Sequence, residues 1–325
     1  MKTRLTNLLA IDYPIVSAPM SGDSGGELAG AVSAGGGLGT FGAVFSDNAM
    51  DYLHDNIALA RTATSRSFGV GFITPYLSDH AAQLDAVLDA GVEVVTLSFA
   101  DPRPWLGKIK AAGRTAICQV HNFEFAQIAV EEGADVIAVQ GCEAGGHSGD
   151  QSLMPALAHV LDSFPDTPVI AAGGIGDGRT LASVLAAGAD GAWIGTGFRA
   201  VTECREISED ARAAIFAADG RETIRSRVTD IISHEALGGR PWPNEIANRT
   251  VRTPTVMRWH GREDALQAEI ARDQAHFAEP PPGEMPYLFS EAAGFIHEQE
   301  TAAAFMSRIC AEAETHLRAA AARAH

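Results

Sequence analysis

The chain has 325 residues, 46% of them hydrophobic and 20% charged, which suits one large α/β domain or two medium ones. Its formal net charge of −17 argues against unaided binding to nucleic acid or to an anionic membrane, since both depend on basic patches. No run approaches the ~18 apolar residues of a membrane span, and the N-terminus lacks a leader cleavage site, so we expect a cytoplasmic protein.

Short apolar runs rich in valine and isoleucine alternate with helical stretches, as buried parallel strands do in βα units. The predicted strands are Pro14–Ala18, Leu38–Gly42, Phe68–Phe72, Val94–Ser98, Ala116–Val120, Val136–Gln140, Val169–Ala172 and Ala192–Gly195. Eight such units predict a (β/α)8 TIM barrel over residues 1–202, with reactive groups on the loops after the strands. A doubly wound sheet is the alternative, but APMSGDSGG after the first strand lacks its G-x-G-x-x-G turn.

The βα alternation stops after Arg199. Residues 203–282 are more polar and contain proline-rich punctuation such as GGRPWPNE, which predicts a smaller, mainly helical insertion or cap beside the barrel mouth. The run EPPPGEMP breaks any helix. Residues 283–325 are alanine-rich and amphipathic near their end, so we expect C-terminal helices that pack back on the barrel.

Two glycine-rich segments, AAGGIGDGRT and WIGTG, follow the seventh and eighth predicted strands. In a barrel these loops are neighbours at the face where phosphate groups commonly bind. Gly173 and Gly174 let the backbone approach a ligand, while Gly195 and Thr196 add an amide and a hydroxyl. Sugar phosphates, thiamine phosphates and flavin mononucleotide all suit such a site, so these loops leave the ligand open.

The segment VQGCEAGGHSGD, residues 139–150, follows the sixth predicted strand and can fold over a bound cofactor while His147 faces the substrate. A histidine there can take a proton from carbon or oxygen at neutral pH. A metal site is disfavoured, because Cys118, His121, Cys142 and His147 match no common zinc spacing. Cys142 adjoins an acidic residue that disfavours its thiolate, so we expect an inert thiol.

The ordered motifs APMSG, QGCEAGGHSG, AGGIGDGR and IGTGF resemble those of the nitronate monooxygenases, which are FMN-dependent barrels related to FMN enoyl reductases. The C-terminal PYLFSEAAGFI is similar to a closing segment of that family. The resemblance implies FMN as cofactor, a small-molecule substrate and O2 as reactants, and no metal. The residues implied to contact FMN are Ala18, Pro19 and Met20 at the ring, Gln119 at its edge, Ala144, Gly145 and Gly146 over it, and Gly173, Gly174, Gly195 and Thr196 at the phosphate.

The resemblance also implies a reaction, in which His147 is the base that takes the α-proton of a nitroalkane. A nitronate is already an anion and needs no such step. The substrate then passes an electron to FMN, the reduced flavin meets O2, and the carbon ends as a carbonyl with release of nitrite. The alternatives are an NAD(P)H-dependent enoyl or quinone reductase on the same barrel, and a non-redox phosphate-binding barrel.

Two positions depart from the family pattern. Many relatives carry asparagine where this chain has Gly71, so a side-chain contact to the flavin is expected to be missing. Ser148 stands where arginine is frequent in one branch of the family, which weakens the case for a cationic partner of an anionic substrate. Nothing in the sequence indicates the oligomeric state.

Overall fold

The computed structural model describes residues 1–323 and contains eleven strands. They are β1 (Ile15–Ser17), β2 (Gly39–Gly42), β3 (Phe68–Ile73), β4 (Val94–Ser98), β5 (Thr115–Val120), β6 (Val136–Gln140), β7 (Gly146–Ser148), β8 (Val169–Ala172), β9 (Gly191–Ile194), β10 (Thr223–Ser226) and β11 (Ala247–Val251). Eight of them form one parallel sheet in the order β1-β9-β8-β6-β5-β4-β3-β2.

The two ends of this sheet meet, because Leu38, next to β2, forms a parallel bridge with Val16 of β1. The amide of Leu38 donates to the carbonyl of Ile15 at 2.9 Å, and the amide of Ser17 donates to that of Leu38 at 2.9 Å. The predicted TIM barrel is therefore confirmed. Its eight strands lie within one residue of the predicted bounds, because each apolar run is as long as the buried part of its strand.

Within residues 1–323, fifteen α-helices surround or extend the barrel. They are α1 (Arg4–Leu9), α2 (Gly26–Ala34), α3 (Ala49–Ala63), α4 (Thr74–Leu77), α5 (Ala81–Asp89), α6 (Arg103–Ala111), α7 (Phe123–Glu131), α8 (Leu153–Ser163), α9 (Gly178–Ala186), α10 (Thr196–Arg199), α11 (Glu209–Ala217), α12 (Val228–Ile231), α13 (Pro254–Trp259), α14 (Glu263–Arg272) and α15 (Ala302–Ala321). Among the helices of residues 1–323, none is both long and apolar enough to cross a membrane.

The inside of the barrel is filled with apolar side chains, and α1 closes the end at which the strands begin. Leu5 and Leu9 of α1 join the buried cluster that includes Val16, Ile117 and Ile170. Arg4 pairs with Asp190, the residue before β9, at 2.8 Å, which fixes α1 at that end. The opposite end, where the strands terminate, is therefore the one left for a ligand.

Residues 203–282 carry helices, two strands and a hydrophobic cluster of their own. Val228, Trp259, Leu266 and Phe277 are buried members of that cluster. The sequence did not predict β10 and β11, which form an antiparallel sheet with β7 in the order β10-β11-β7. A one-turn π-helix, Ile232–Ala236, follows α12 directly.

The C-terminal part ends in α15, whose apolar side packs against α9 and α2. Phe305, Met306 and Ile309 are buried there, as their near-helical spacing predicts. Phe295, which we included in the same pattern, lies before α15 and is 45% exposed. Glu312 of the same helix accepts a hydrogen bond from the amide of Gly178, the first residue of α9, at 3.1 Å. α15 therefore holds α9 in place behind the loop that follows β8.

Candidate functional site

A cavity of about 310 Å³ lies at the carboxyl ends of the barrel strands. Every residue predicted to form the site lines it: Ala18, Pro19, Met20, Gln119, Ala144, Gly145, Gly146, His147, Gly173, Gly174, Gly195 and Thr196. The fold brings these residues together because each follows or ends a parallel strand, and parallel strands end on the same side of a barrel. Their roles stay predictions.

The loop after β8 needs glycine at two consecutive positions. Gly173 has φ +108° and Gly174 has φ +69°, both in the left-handed region that other residues avoid. A Cβ atom at position 173 would also lie 3.0 Å from the carbonyl oxygen of Gly141. Asp177 then starts α9, since its Oδ1 accepts from the amide of Thr180 at 2.8 Å. The loop is thus a tight turn that runs into a helix N-terminus, as an anion site requires.

Thr196, the first residue of α10, contacts the C-terminal part of the chain. Its Oγ1 accepts a hydrogen bond from the amide of Ser290 at 2.9 Å. A hydroxyl that accepts in this way can still donate its own hydrogen to a ligand. Leu288, Phe289 and Ser290 line the cavity, so residues 288–290 form part of its wall.

Two glutamines at the ends of β5 and β6 carry buried polar atoms without a protein partner. Among residues 1–323, neither Nε2 of Gln119 nor Oε1 of Gln140 has a hydrogen-bond partner. The other side-chain atom of Gln140, Nε2, donates to the carbonyl of His147 at 3.1 Å. An unpartnered buried donor and acceptor are costly unless a ligand satisfies them. Together they fit a ligand with a polar edge that both donates and accepts.

Arg199 is a cavity residue that the sequence analysis missed. Within the described part of the chain it is the one lysine or arginine that lines the cavity, and it is 7% exposed. Its guanidinium lies 3.1 Å from the carboxylate of Asp23 and also donates to the carbonyl of Leu288. Its position one turn after the IGTG motif was the available signal. Because Arg199 and Asp23 balance each other, the pair adds no net charge to the cavity.

His147 lies on β7, a short strand whose partner comes from residues 203–282. In the β7–β11 register His147 stands opposite Asn248. Arg225 and Arg249 hold the segment around it, since they donate to the carbonyls of Ser148 and Cys142 at 2.9 and 2.8 Å. Burial lowers the pKa of Arg225 from its usual value. The histidine is thus fixed by hydrogen bonds on both sides of the loop rather than carried on a free glycine-rich loop.

The imidazole of His147 has two close side-chain neighbours that the sequence analysis missed. Its Nε2 lies 2.8 Å from Oδ1 of Asp230, on α12. The ring of Trp242 stacks on it with centroids 3.5 Å apart and planes 15° from parallel. Both neighbours come from residues 203–282, far along the chain from His147, and no motif marks them.

A short segment of the 203–282 region, residues 240–243, reaches α4, the helix that follows β3 directly. The hydroxyl of Tyr76 donates to the carbonyl of Pro241 at 3.1 Å, and its ring meets the edge of Trp242 at 5.4 Å. Arg240 pairs with Asp79 at 2.9 Å. Burial raises the pKa of Tyr76 to about 12. These contacts hold Trp242 against the cavity on the side where His147 lies.

The glycine at position 71 has a steric reason. A Cβ atom there would lie 2.4 Å from both Cβ and Cγ of Pro19, and 2.6 Å from Oγ1 of Thr96. Real Cβ atoms do not approach so closely, so an asparagine fits this position only if Pro19 moves. Pro19 therefore packs so closely on β3 that position 71 has no room for a side chain.

The cysteines do not take part in the cavity. Cys118, Cys204 and Cys310 are buried, and desolvation raises the pKa of each thiol to about 12. Cys142 is partly exposed, but it does not line the cavity. Within residues 1–323, no three histidine, cysteine or acidic side chains are placed to hold a metal ion together.

A closed parallel barrel with a glycine-lined cavity and a held histidine at its mouth is the architecture of a TIM-barrel enzyme. The sequence model of the nitronate monooxygenase family matches residues 2–81 and 73–230. The chain belongs to this family of oxidoreductases, which confirms the resemblance.

Curated relatives include proteins with two kinds of name. A Rhodococcus jostii protein named (3aS,4S,5R,7aS)-5-hydroxy-7a-methyl-1-oxo-octahydro-1H-indene-4-carboxyl-CoA dehydrogenase is 33% identical over 239 residues, 73% of this chain and 66% of its own length. The Mycobacterium tuberculosis protein of the same name is matched over only 56% of its length. A probable nitronate monooxygenase from Staphylococcus aureus is 30% identical over 74% of this chain and 77% of the relative.

Solved structures resemble nearly the full length of the chain. FabK from Thermotoga maritima superposes with a TM-score of 0.83 at 27% identity, covering 99% of both chains. A nitroalkane oxidase from Streptomyces ansochromogenes superposes with a TM-score of 0.76 at 25% identity, covering 97% of this chain and 99% of its own. The likeness therefore includes residues 231–323, beyond the family match.

Proposed function

We propose that the protein is an FMN-dependent enzyme that oxidises alkyl nitronates and nitroalkanes with O2 to a carbonyl compound and nitrite. One observation carries the proposal: the glycine turn at Gly173 and Gly174 and the imidazole of His147 line the same cavity. A backbone site for a phosphate and a residue able to take a proton are thus available to one bound pair of cofactor and substrate. The relatives named for nitronate and nitroalkane oxidation support the substrate class.

FMN fits the residues present. Gly173, Gly174, Gly195 and Thr196 would hold its phosphate through amides and a hydroxyl, without a lysine. Gln119 and Gln140 would satisfy the polar edge of its ring, since each has an unpartnered buried atom. Ala18, Pro19 and Met20 would provide an apolar surface for the flat ring, and Ala144, Gly145 and Gly146 would cover it. When bound, FMN supplies the electron acceptor and the reaction with O2.

The protein itself contributes a proton acceptor, His147, and a cavity lining without net charge. His147 takes the α-proton of a neutral nitroalkane, whereas a nitronate arrives without that proton. Besides His147, the ionisable side chains that line the cavity within residues 1–323 are Asp23 and Arg199, which pair with each other. The cavity itself is therefore close to neutral although the whole chain carries −17. An anionic nitronate meets no uncompensated carboxylate there.

The contacts suggest a separate role for each of the three parts of the chain. Residues 1–202 form the barrel that would bind FMN, and residues 203–282 form a cap that supplies the walls around His147. Residues 283–323 close the cavity with residues 288–290 and support α9 with α15. Deleting 240–243 should therefore alter turnover while FMN stays bound.

Anaerobic reduction tests the function. The purified protein should absorb visible light as a flavoprotein, and this absorbance should bleach on anaerobic mixing with ethylnitronate. Air should then restore the colour with formation of nitrite. A protein that carries no flavin, and gains no flavin absorbance when FMN is added, would reject the proposal in favour of a non-redox barrel.

The second candidate is an NAD(P)H-dependent reductase or dehydrogenase on the same barrel. The similarity to proteins named as carboxyl-CoA dehydrogenases and to FabK favours it. The same anaerobic experiment separates the two functions, because NADH or NADPH replaces ethylnitronate in a parallel cuvette. Bleaching by a nicotinamide and not by ethylnitronate would establish this candidate and overturn the first.

A further inference from the structure

We infer that Asp230 is a positioning residue for His147, an inference that rests on the proposed function. Oδ1 of Asp230 lies 2.8 Å from Nε2 of His147, and both side chains are mostly buried, with 11% and 18% exposed. A carboxylate only accepts hydrogen bonds, so Nε2 carries the hydrogen. The lone pair is then on Nδ1, which forms no hydrogen bond with residues 1–323. Asp230 thereby selects the tautomer in which Nδ1 accepts the substrate proton.

The stacking partner restricts the ring further. Trp242 lies 3.5 Å from the imidazole of His147, nearly parallel to it, and covers one face. The ring of Phe99 approaches at 6.5 Å, edge to face. With Nε2 held by Asp230 and one face held by Trp242, the imidazole has neither a free flip nor a free tilt. Such constraint is what a base needs to meet a carbon acid in one orientation.

Within residues 1–323, the second oxygen of Asp230 is an unused hydrogen-bond acceptor. Oδ2 is buried and has no hydrogen-bond partner among the described residues. A buried carboxylate with half of its acceptors unused is costly unless a positive charge adjoins it. Of the other ionisable groups near it, Tyr76 is neutral, because burial raises its pKa, and Arg225 donates its hydrogen bonds to backbone carbonyls. The imidazolium that forms when His147 takes the substrate proton places a positive charge next to Asp230.

In this arrangement the α-proton of the nitroalkane passes to His147. The Cα–H bond of the nitroalkane breaks, its electron pair moves into the nitro group to give the nitronate anion, and the proton bonds to Nδ1 of His147. Nε2 keeps its hydrogen on Asp230 throughout. The imidazolium so formed lies against the carboxylate, which stabilises the products of deprotonation more than the reactants.

Strand β11 contacts both the strand that carries His147 and the helix that carries Asp230. Asn248 stands opposite His147 in the β7–β11 register, and its Nδ2 lies 3.4 Å from Oγ1 of Thr229, the neighbour of Asp230. One residue of β11 thus contacts the element of each partner. Asp230 itself lies in the short helix α12, which continues into the π-helix Ile232–Ala236.

The test compares Asp230→Asn with Asp264→Asn, the same change at an exposed acidic residue in the first turn of α14. Asp230→Asn should lower kcat/KM for neutral nitroethane by about 10- to 10²-fold, less than loss of the base itself. It should leave turnover of preformed ethylnitronate and the Kd for FMN unchanged. Asp264→Asn should match the wild type throughout.

Two results would overturn the inference: equal losses on nitroethane and ethylnitronate, or no loss on either. A wild-type protein that turns over neither substrate would instead reject the proposed function. The nitrogen NMR spectrum of labelled histidine, assigned by comparison with His147→Asn, then decides the positioning role alone. We expect hydrogen on Nε2 of His147 in the wild type and a mixed or reversed tautomer in Asp230→Asn. The same tautomer in both proteins would refute the role of Asp230.

Discussion

Replacing Gly71 by alanine tests the packing under the proposed flavin ring. The new Cβ atom would lie 2.4 Å from two carbons of Pro19, and Thr96 Oγ1 at 2.6 Å blocks retreat toward β4. Overpacking of this kind costs about 1–3 kcal/mol. Pro19 has room to yield on the cavity side, where the ring of FMN would lie. If it moves there, FMN must push it back, and the Kd for FMN rises by about 5- to 150-fold.

The assay measures both places where this strain can appear. Fluorescence titration gives the Kd for FMN, and thermal unfolding of the apoprotein gives its stability. Gly107→Ala is the matched control, since Gly107 lies in α6 with nothing within 4 Å of an added Cβ atom. In that helix alanine should stabilise by about 0.5–1 kcal/mol. A Gly71→Ala protein that binds FMN as the wild type does and unfolds at the same temperature would refute the steric argument.

Three other predictions follow from the site and its surroundings. His147→Asn should retain FMN while its turnover of neutral nitroalkanes falls about 10²-fold or more, and unchanged turnover would remove His147 from the mechanism. A maleimide should label native protein at no more than one thiol per chain, the partly exposed Cys142, because burial raises the pKa of Cys118, Cys204 and Cys310 to about 12. Rapid labelling of a second thiol would contradict this. Desolvation raises the pKa of Tyr52 and of Tyr76 from 10.0 to about 12. Their stabilising effect is therefore complete below pH 10 and is lost toward pH 12. The thermal midpoint should fall more steeply over that interval than in a Tyr52→Phe, Tyr76→Phe variant.

The barrel was predictable from the sequence because its physical signals are local. Each buried parallel strand is a short apolar run, and glycine ends the preceding helix in several units, as before β4, β6 and β9. The candidate site followed from the same information, since the barrel determines that the segments after β6, β8 and β9 are neighbours. Glycines such as Gly173 were visible as candidates because a left-handed turn requires them.

The surroundings of His147 could not be predicted in this way. Gly146–Ser148 forms only a three-residue strand, too short for an alternating pattern, and β10 and β11 are mixed polar segments. Asp230 is 83 residues from His147 along the chain, and its carboxylate looks like any acidic residue of a helix. Trp242 lies between two prolines, and the sequence showed this segment only as a break between helices. Nothing in their local sequence indicates that both residues meet one imidazole.

The surroundings of His147, rather than the barrel, are where the substrate of the protein should be sought. The family match ends at residue 230, so it includes the glycine turns and His147 but stops before Trp242. The relatives carry names for nitronate oxidation and for dehydrogenation of a carboxyl-CoA compound. A glycine turn that binds a phosphate by backbone amides does not determine which substrate reacts at the other end of the cofactor. Trp242 lines the cavity beside His147, and Tyr76 contacts Trp242 from behind. We therefore expect variants at Trp242 and Tyr76, rather than at the glycine turns, to separate the two reactions.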